Sequence, residues 1–469
     1  MLTQGKAADI FDRVKKLSTA DEVEVFLTGG RFSLTRFANN MIHQNVAEKN
    51  HTISVRTAFG GRTARASTNK FDDESLRRVV EASESLARVQ HSDTDLLRMP
   101  DAREAADNAD MSIRATPPAT PSRHFEATAA ITPELRAEGV KQIVTVADRH
   151  NLTTAGTYSS NEWVEGIFNS HGLHKWHQQT SAEISITMIG GDSSGWQKAN
   201  SPDAANLNPL ALAETAAKKA VDSTHPIELS PGKYTVILEP AAALDIIGFM
   251  FWDYSGTSIL DQRSFLTDRI GTKLFGDNIT VWDDVAHLLQ SGSPFDGEGM
   301  TRQRIPLIEN GVVTRVVYAR ATAARMRRSE YKDKAGPIDA TGHGFLLPNE
   351  TGEMPVNIVF ATPLNPQTLE QMIASTEHGV LVTRLWYIRE VEPYEKICTG
   401  MTRDGTFLIE NGRIKNGIRN FRFNESLIHM LLNVKAMSLP VRSSGEESMD
   451  MVVPAMKIDG FNFTEVTRF

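Results

Sequence analysis

Apolar and polar residues alternate along this chain in two distinct periods. Ala7, Ile10, Phe11, Val14 and Leu17 recur at the helical spacing and predict a first amphipathic helix. Period-two alternation follows in EVEVFLT (Glu22 to Thr28), FSLTRFAN (Phe32 to Asn39), MIHQNVA (Met41 to Ala47) and HTISVRTAF (His51 to Phe59). These read as strands, with Gly29-Gly30, Asn39-Asn40 and Gly60-Gly61 as tight turns that need positive φ. Asp72 or Asp73 then caps a helix through ESLRRVVEASESLARV. A helix from Thr132-Pro133 to about Arg149 and another from Asn206 to Ser223 flank strands near Leu152 to Tyr158, Glu162 to Asn169 and Leu173 to Ile189.

One stretch differs from all of these. In KYTVILEPAAALDIIGFMFWDYSG (Lys233 to Gly256), a short strand runs into a helix opened by Pro240, where a missing N–H costs nothing. Ala241 to Leu244, Ile246, Ile247, Phe249 and Met250 make that helix apolar nearly all round, so it belongs inside a domain. Asp245 is its one ionisable residue before Asp253, and a carboxylate there is solvated at a cleft, paired, or shifted in pKa. Beyond it, Ile305 to Tyr318, Asn357 to Thr362, Gly379 to Val391, Gly405 to Ile414 and Met451 to Phe463 read as short strands between Asn-Gly or Asp-Gly turns. The phrase Ile-Glu-Asn-Gly occurs at Ile308 and again at Ile409, a hairpin signal in each case.

The fold class expected is therefore α+β. An N-terminal domain (residues 1–228) carries a mostly antiparallel sheet, and a β-rich C-terminal domain (residues 229–469) surrounds the buried helix. Ser230-Pro231-Gly232 marks the boundary, and residues 100–125, polar and rich in Ala and Pro, are expected to be a flexible surface loop. At 469 residues, two domains is the ordinary expectation. The net charge of −8 argues against a nucleic-acid surface. The N-terminus has no apolar signal region and no run of 18 apolar residues occurs, which predicts a cytoplasmic protein with no membrane span. A single cysteine, Cys398, excludes an intrachain disulfide and a thiolate-cluster metal site.

Five segments carry a resemblance. RFANNMIHQNV near the N-terminus, the strand–Glu239-Pro240–buried-helix sequence, and GVLVTRL, GTFLIENG and VPAMKIDGF near the C-terminus are similar to the TldD/PmbA (TldD/TldE) metallopeptidase family. The resemblance covers nearly the whole chain. In the proteolytic TldD branch, it implies a helix bearing His-Glu-x-x-x-His, whose two His bind zinc and whose Glu activates the metal-bound water. Here the hexamer is LDIIGF. Leu244 and Phe249 stand where the His would be, and Asp245 where the Glu would be. The third ligand implied, a Cys before a Gly, falls at Ser444-Gly445. No catalytic residue is expected in this chain, and no metal or other cofactor; zinc is expected in a TldD-type partner.

Other candidates are thinner. His171, His174 and His177 are spaced like a metal cluster, but residues three apart on a strand face opposite ways unless Gly172 bends the chain. His343, in the Gly-rich ATGHGF, and Asp245 are the candidates to line a substrate groove, His343 because the family has a related loop near its cleft. Asp253, Asp283, Asp284, Asp296 and Glu298 suggest a cation but lack calcium-loop spacing. Cys398 reads as a small buried hydrophobe. Three function classes follow: a non-catalytic TldE/PmbA-like partner, an autonomous metallopeptidase with unorthodox ligands, or a peptide-binding scaffold without proteolysis. The missing ligands weigh against the second. The first implies a dimer, with a TldD-type subunit or with itself, acting on peptides. In that dimer RLWYIR (Arg384 to Arg389) is an anchor, unless Trp386 fills the chain's own core.

Overall fold

The computed structural model describes residues 2–106 and 120–467. The first half is one six-stranded antiparallel sheet in the order β3-β2-β1-β4-β5-β6. Its strands are β1 (Glu22–Ala38), β2 (Met41–Phe59), β3 (Arg62–Thr68), β4 (Thr153–Asn169), β5 (His174–Ile189) and β6 (Ser194–Ser201). One expected turn is absent, because β1 runs straight through Gly29-Gly30, and β2 and β4 run unbroken through residues 48–50 and 159–161, where separate strands were expected. The glycines serve close packing instead. A Cβ on Gly29 would stand 2.2 Å from His51 Nδ1, and one on Gly30 would stand 2.7 Å from Glu162 O. The Asn39-Asn40 turn does form, both residues at positive φ. Residues 41–52 of β2 pair only with β1, since β3 joins β2 from Ile53 onward, so this part of the sheet has an open edge.

Helices cover this sheet: α1 (Gln4–Leu17) with α2 (Asp73–Val89), and further along α5 (Pro133–Arg149) with α6 (Pro209–Asp222). Asp72 is the cap of α2, accepting from Ser75 N. Of the stretch expected to be a flexible loop, residues 107–119 lie outside the described residues. Its flanks are ordered, with short helices α3 (Ala102–Ala106) and α4 (Glu126–Ala129). Arg123 is buried, its guanidinium donating to the carbonyls of Val285, His287 and Leu288. These contacts correct the expectation for the flanks.

The second half holds two sheets with α7 (Pro240–Phe251) between them. One runs β10-β9-β8-β11-β18-β17 and contains β8 (Val281–Asp283), β9 (Ile305–Glu309), β10 (Val312–Val313), β11 (Ile358–Phe360), β17 (Val441–Ser443) and β18 (Met451–Val453). The other contains β7 (Gly232–Leu238), β12 (His378–Glu392), β13 (Ile397–Glu410), β14 (Arg413–Gly417), β15 (Phe421–Ser426) and β19 (Met456–Val466), with β16 (Val434–Met437) on its flank. In that sheet β13 pairs with both β15 and β12, which closes β12-β7-β19-β15-β13 into a ring. Helix α7 packs against β7 and β12 on one side and β17 and β18 on the other, so one hydrophobic core joins both sheets. Leu244 and Ile247 are fully buried in it. Both Ile-Glu-Asn-Gly phrases are hairpin turns, with Asn310, Gly311, Asn411 and Gly412 at positive φ. The whole is α+β.

Candidate functional site

Helix α7 starts at Pro240, and its first turns carry Leu244 and Asp245 into the core. Across from them, the segment between β17 and β18 folds over the helix. A Cβ on Gly445 would lie 2.0 Å from Asp245 Oδ1, so only glycine lets the backbone come this close. Asp245 Oδ1 accepts from the backbone N–H of Glu446 and of Glu447, each at 2.9 Å. Its other oxygen, Oδ2, has no hydrogen-bond partner. Burial pushes this carboxyl up to about 7; the two N–H groups pull it down, and the nearby Glu446 and Glu447 add to the rise. The fold thus brings Leu244, Asp245, Ser444 and Gly445, some 200 residues apart in sequence, to one place.

The surroundings of that place come from the N-terminal sheet. Ser444 Oγ donates to Glu183 Oε2 at 3.2 Å. Lys198 Nζ donates to Gly445 O at 2.8 Å and lies 3.5 Å from Glu183 and 3.4 Å from Glu446. Glu447 accepts from Tyr387 N and pairs with Arg389. Nothing in the sequence marked Lys198 or Glu183. They lie on neighbouring strands, β6 and β5, and their approach to residues 444–446 depends on how the two halves pack, which no local pattern encodes.

The remaining candidates separate. His171 sits in the turn before β5 and pairs with Glu22; His174 packs edge-on to Phe11; His177, its pKa lowered by burial, bonds Gln179 at 3.0 Å. Three partners in three directions leave no shared centre. His343 corrects the expectation of a flexible groove histidine. It is 1% exposed, with Nε2 2.9 Å from Asp283 Oδ1 and Nδ1 3.0 Å from Thr341 Oγ1. The acidic residues are also taken up within the protein. Asp253 pairs with Lys396 at 2.8 Å, Asp284 with Arg304 at 3.4 Å and Glu298 with Arg320 at 3.5 Å, while Asp296 accepts three backbone N–H groups. Among the described residues, no group of three or more His, Cys, Asp or Glu is placed to hold a metal ion. Trp386 is half-buried, with the guanidiniums of Arg384 and Arg403 at 5.2 and 5.0 Å from its ring centre, and Tyr387 beside it is exposed, at positive φ in a bulge of β12. At the C-terminal end of α7, Trp252, Phe265, Glu390 and Tyr394 line a cleft of about 550 Å³.

The profile of the PmbA/TldA metallopeptidase C-terminal domain matches residues 231–465, half of the chain. Those of domain 1 and the central domain match residues 23–87 and 122–224. The chain belongs to the PmbA/TldD family. Within this family it is 24% identical over 428 residues to a Haemophilus influenzae protein named metalloprotease PmbA homolog, covering 87% of this chain and 85% of that one. Metalloprotease PmbA of Escherichia coli O157:H7 is 22% identical over 453 residues, covering 94% and 93%. The structure of TldE from Thermococcus kodakarensis superposes with a TM-score of 0.82 at 18% identity, covering 98% of this chain and all of that one, a likeness of fold. No helix of the described residues is long and apolar enough to cross a membrane.

Proposed function

We propose that this chain is the TldE/PmbA-like subunit of a TldD/TldE-type zinc peptidase, itself without a zinc site. It would pair with a zinc-bearing TldD-type subunit, or with itself, in the cytoplasm and act on unfolded or precursor peptides. The observation that carries this reading is what fills the space where α7 meets residues 444–447. Leu244 packs against Gly445 and, like Phe249 further along the helix, offers only hydrocarbon, and the Ser444 hydroxyl is a poor zinc ligand already engaged by Glu183. The ammonium of Lys198 stands beside the same segment, 2.8 Å from Gly445 O, and its charge opposes a dication. These residues do not fit zinc, so no hydrolytic step is assigned to them. The open edge at residues 41–52 of β2 supports peptide engagement by strand addition. The exposed Tyr387 beside Trp386 and Arg389 supports a contact surface on the C-terminal half.

Metal analysis tests the first part. After dialysis the purified chain is expected to hold well under one zinc per chain. Zinc near one per chain, lost in the H171A/H174A/H177A variant, would overturn the reading in favour of an autonomous metallopeptidase.

A further inference from the structure

The cleft at the C-terminal end of α7 lies about two helical turns beyond Asp245. At about 550 Å³ it has room for a small ligand or for one long side chain of a peptide. Its lining combines the rings of Trp252, Phe265 and Tyr394 with the carboxylates of Asp253 and Glu390. Trp252 is 56% exposed. Tyr394 already carries the Arg269 guanidinium 3.7 Å from its ring centre and Phe265 the Lys396 ammonium at 5.8 Å, whereas among the described residues no cation stacks on Trp252. Both carboxylates reach solvent, the side chain of Glu390 being 29% exposed and that of Asp253 13%. Lys396 is buried between them, its ammonium on Asp253 Oδ2 at 2.8 Å and on Glu390 Oε2. Asp253 Oδ1 and Glu390 Oε1 take no part in these contacts.

One ammonium shared by two carboxylates leaves a negative charge in excess. The other charged groups of the lining do not offset it. Arg263 pairs with Asp261 at 2.8 Å, and Glu353 is buried with its oxygens on the N–H groups of Thr257 and Ala319 and the hydroxyl of Thr322. Helix α7 adds to the same sign, since the negative end of its dipole is here and its last turn holds no basic residue. An anion would be repelled, a metal ion would have to displace Lys396, and a purely apolar ligand would cover Glu390 without pairing it. A flat organic cation meets both the rings and the acids. We propose that this cleft binds the guanidinium side chain of an arginine, free or within a peptide. Its face stacks on Trp252 as that of Arg269 does on Tyr394, and its edge donates to Glu390 and Asp253, two contacts that an ammonium cannot combine. The proposal does not depend on the subunit reading.

The experiment is calorimetric titration of the full chain with Nα-acetyl-L-arginine amide and with L-arginine at millimolar concentration, each against its neutral citrulline counterpart. At least one arginine compound is expected to bind, about tenfold or more tighter than its citrulline counterpart, because citrulline keeps the shape and loses the charge. Binding of the blocked compound but not of L-arginine identifies a peptide side chain as the occupant, and the converse identifies the free amino acid. W252A, at an exposed position, should weaken binding about fivefold or more, and E390Q should remove most of the preference over citrulline. Equal binding of arginine and citrulline compounds overturns the proposal, and so does binding of neither arginine compound. An unchanged affinity in folded W252A overturns it as well, whatever E390Q does to stability.

Discussion

Replacing Asp245 by asparagine separates the two forces on that carboxyl. Its pKa is raised from an ordinary 3.8 to about 7, chiefly by burial. The folded state therefore binds more protons than the unfolded chain between about pH 4 and pH 7, and stability falls as pH rises through that window. A rise of about three units corresponds to about 4 kcal/mol borne by the ionised form above pH 7. Asparagine keeps an acceptor for the N–H groups of Glu446 and Glu447 and carries no charge. It places an NH₂ where Oδ2 now lacks a partner, at a cost of about 1–3 kcal/mol. D245N should thus be somewhat less stable than the parent at pH 5 and more stable, by about 1–3 kcal/mol, at pH 8. D245A, which strands both N–H groups, should be destabilised at both. Guanidinium midpoints of parent and variants at the two pH values measure this, since unrelated titrations cancel in the difference. A D245N difference that stays constant with pH, or worsens at pH 8, would refute the assignment of burial as the dominant force.

Two other perturbations follow from buried groups. Burial pushes Asp283 up, but the charge of His343 and, after it, that of Arg302 hold it below the usual carboxylate range. H343A would remove the side-chain partner of that buried carboxylate, leaving it the N–H groups of Val356 and Asn357 and the charge of Arg302, and should cost about 3–5 kcal/mol, read from the guanidinium midpoint at neutral pH. A loss under 1 kcal/mol would mean that Asp283 is satisfied without it. Cys398 is fully buried and its thiol is pushed up to about 12, chiefly by burial, so it should be silent toward a thiol-disulfide reagent in the native chain and react fully in denaturant. Rapid labelling of the folded protein would contradict that.

Much of the fold was legible because local chemistry and packing agree. Pro240 followed by an apolar run could only be a helix buried on all sides, and Asn39-Asn40 and the two Asn-Gly pairs turn where positive φ demands. Gly29-Gly30 misled for a physical reason: glycine serves close approach as well as turning, and which one applies depends on neighbours that sequence distance hides. The same limit governs the site. Leu244, Asp245 and Ser444 were found through resemblance, and the fold does bring them together. Lys198 and Glu183 were not found, because each gains its meaning from a segment more than 50 residues away. His343 was misplaced because flanking glycines suggested freedom, whereas its partner on β8 holds it in the interior.

The account rests most directly on whether this chain needs another to cut a peptide. The decisive measurement is cleavage of an unfolded peptide by the purified chain alone, by a TldD-type subunit from the same source, and by the two mixed. The account predicts no cleavage by this chain alone, cleavage in the mixture, and loss of that activity when the partner's motif glutamate is replaced. Cleavage by this chain alone, abolished by a chelator, would contradict it.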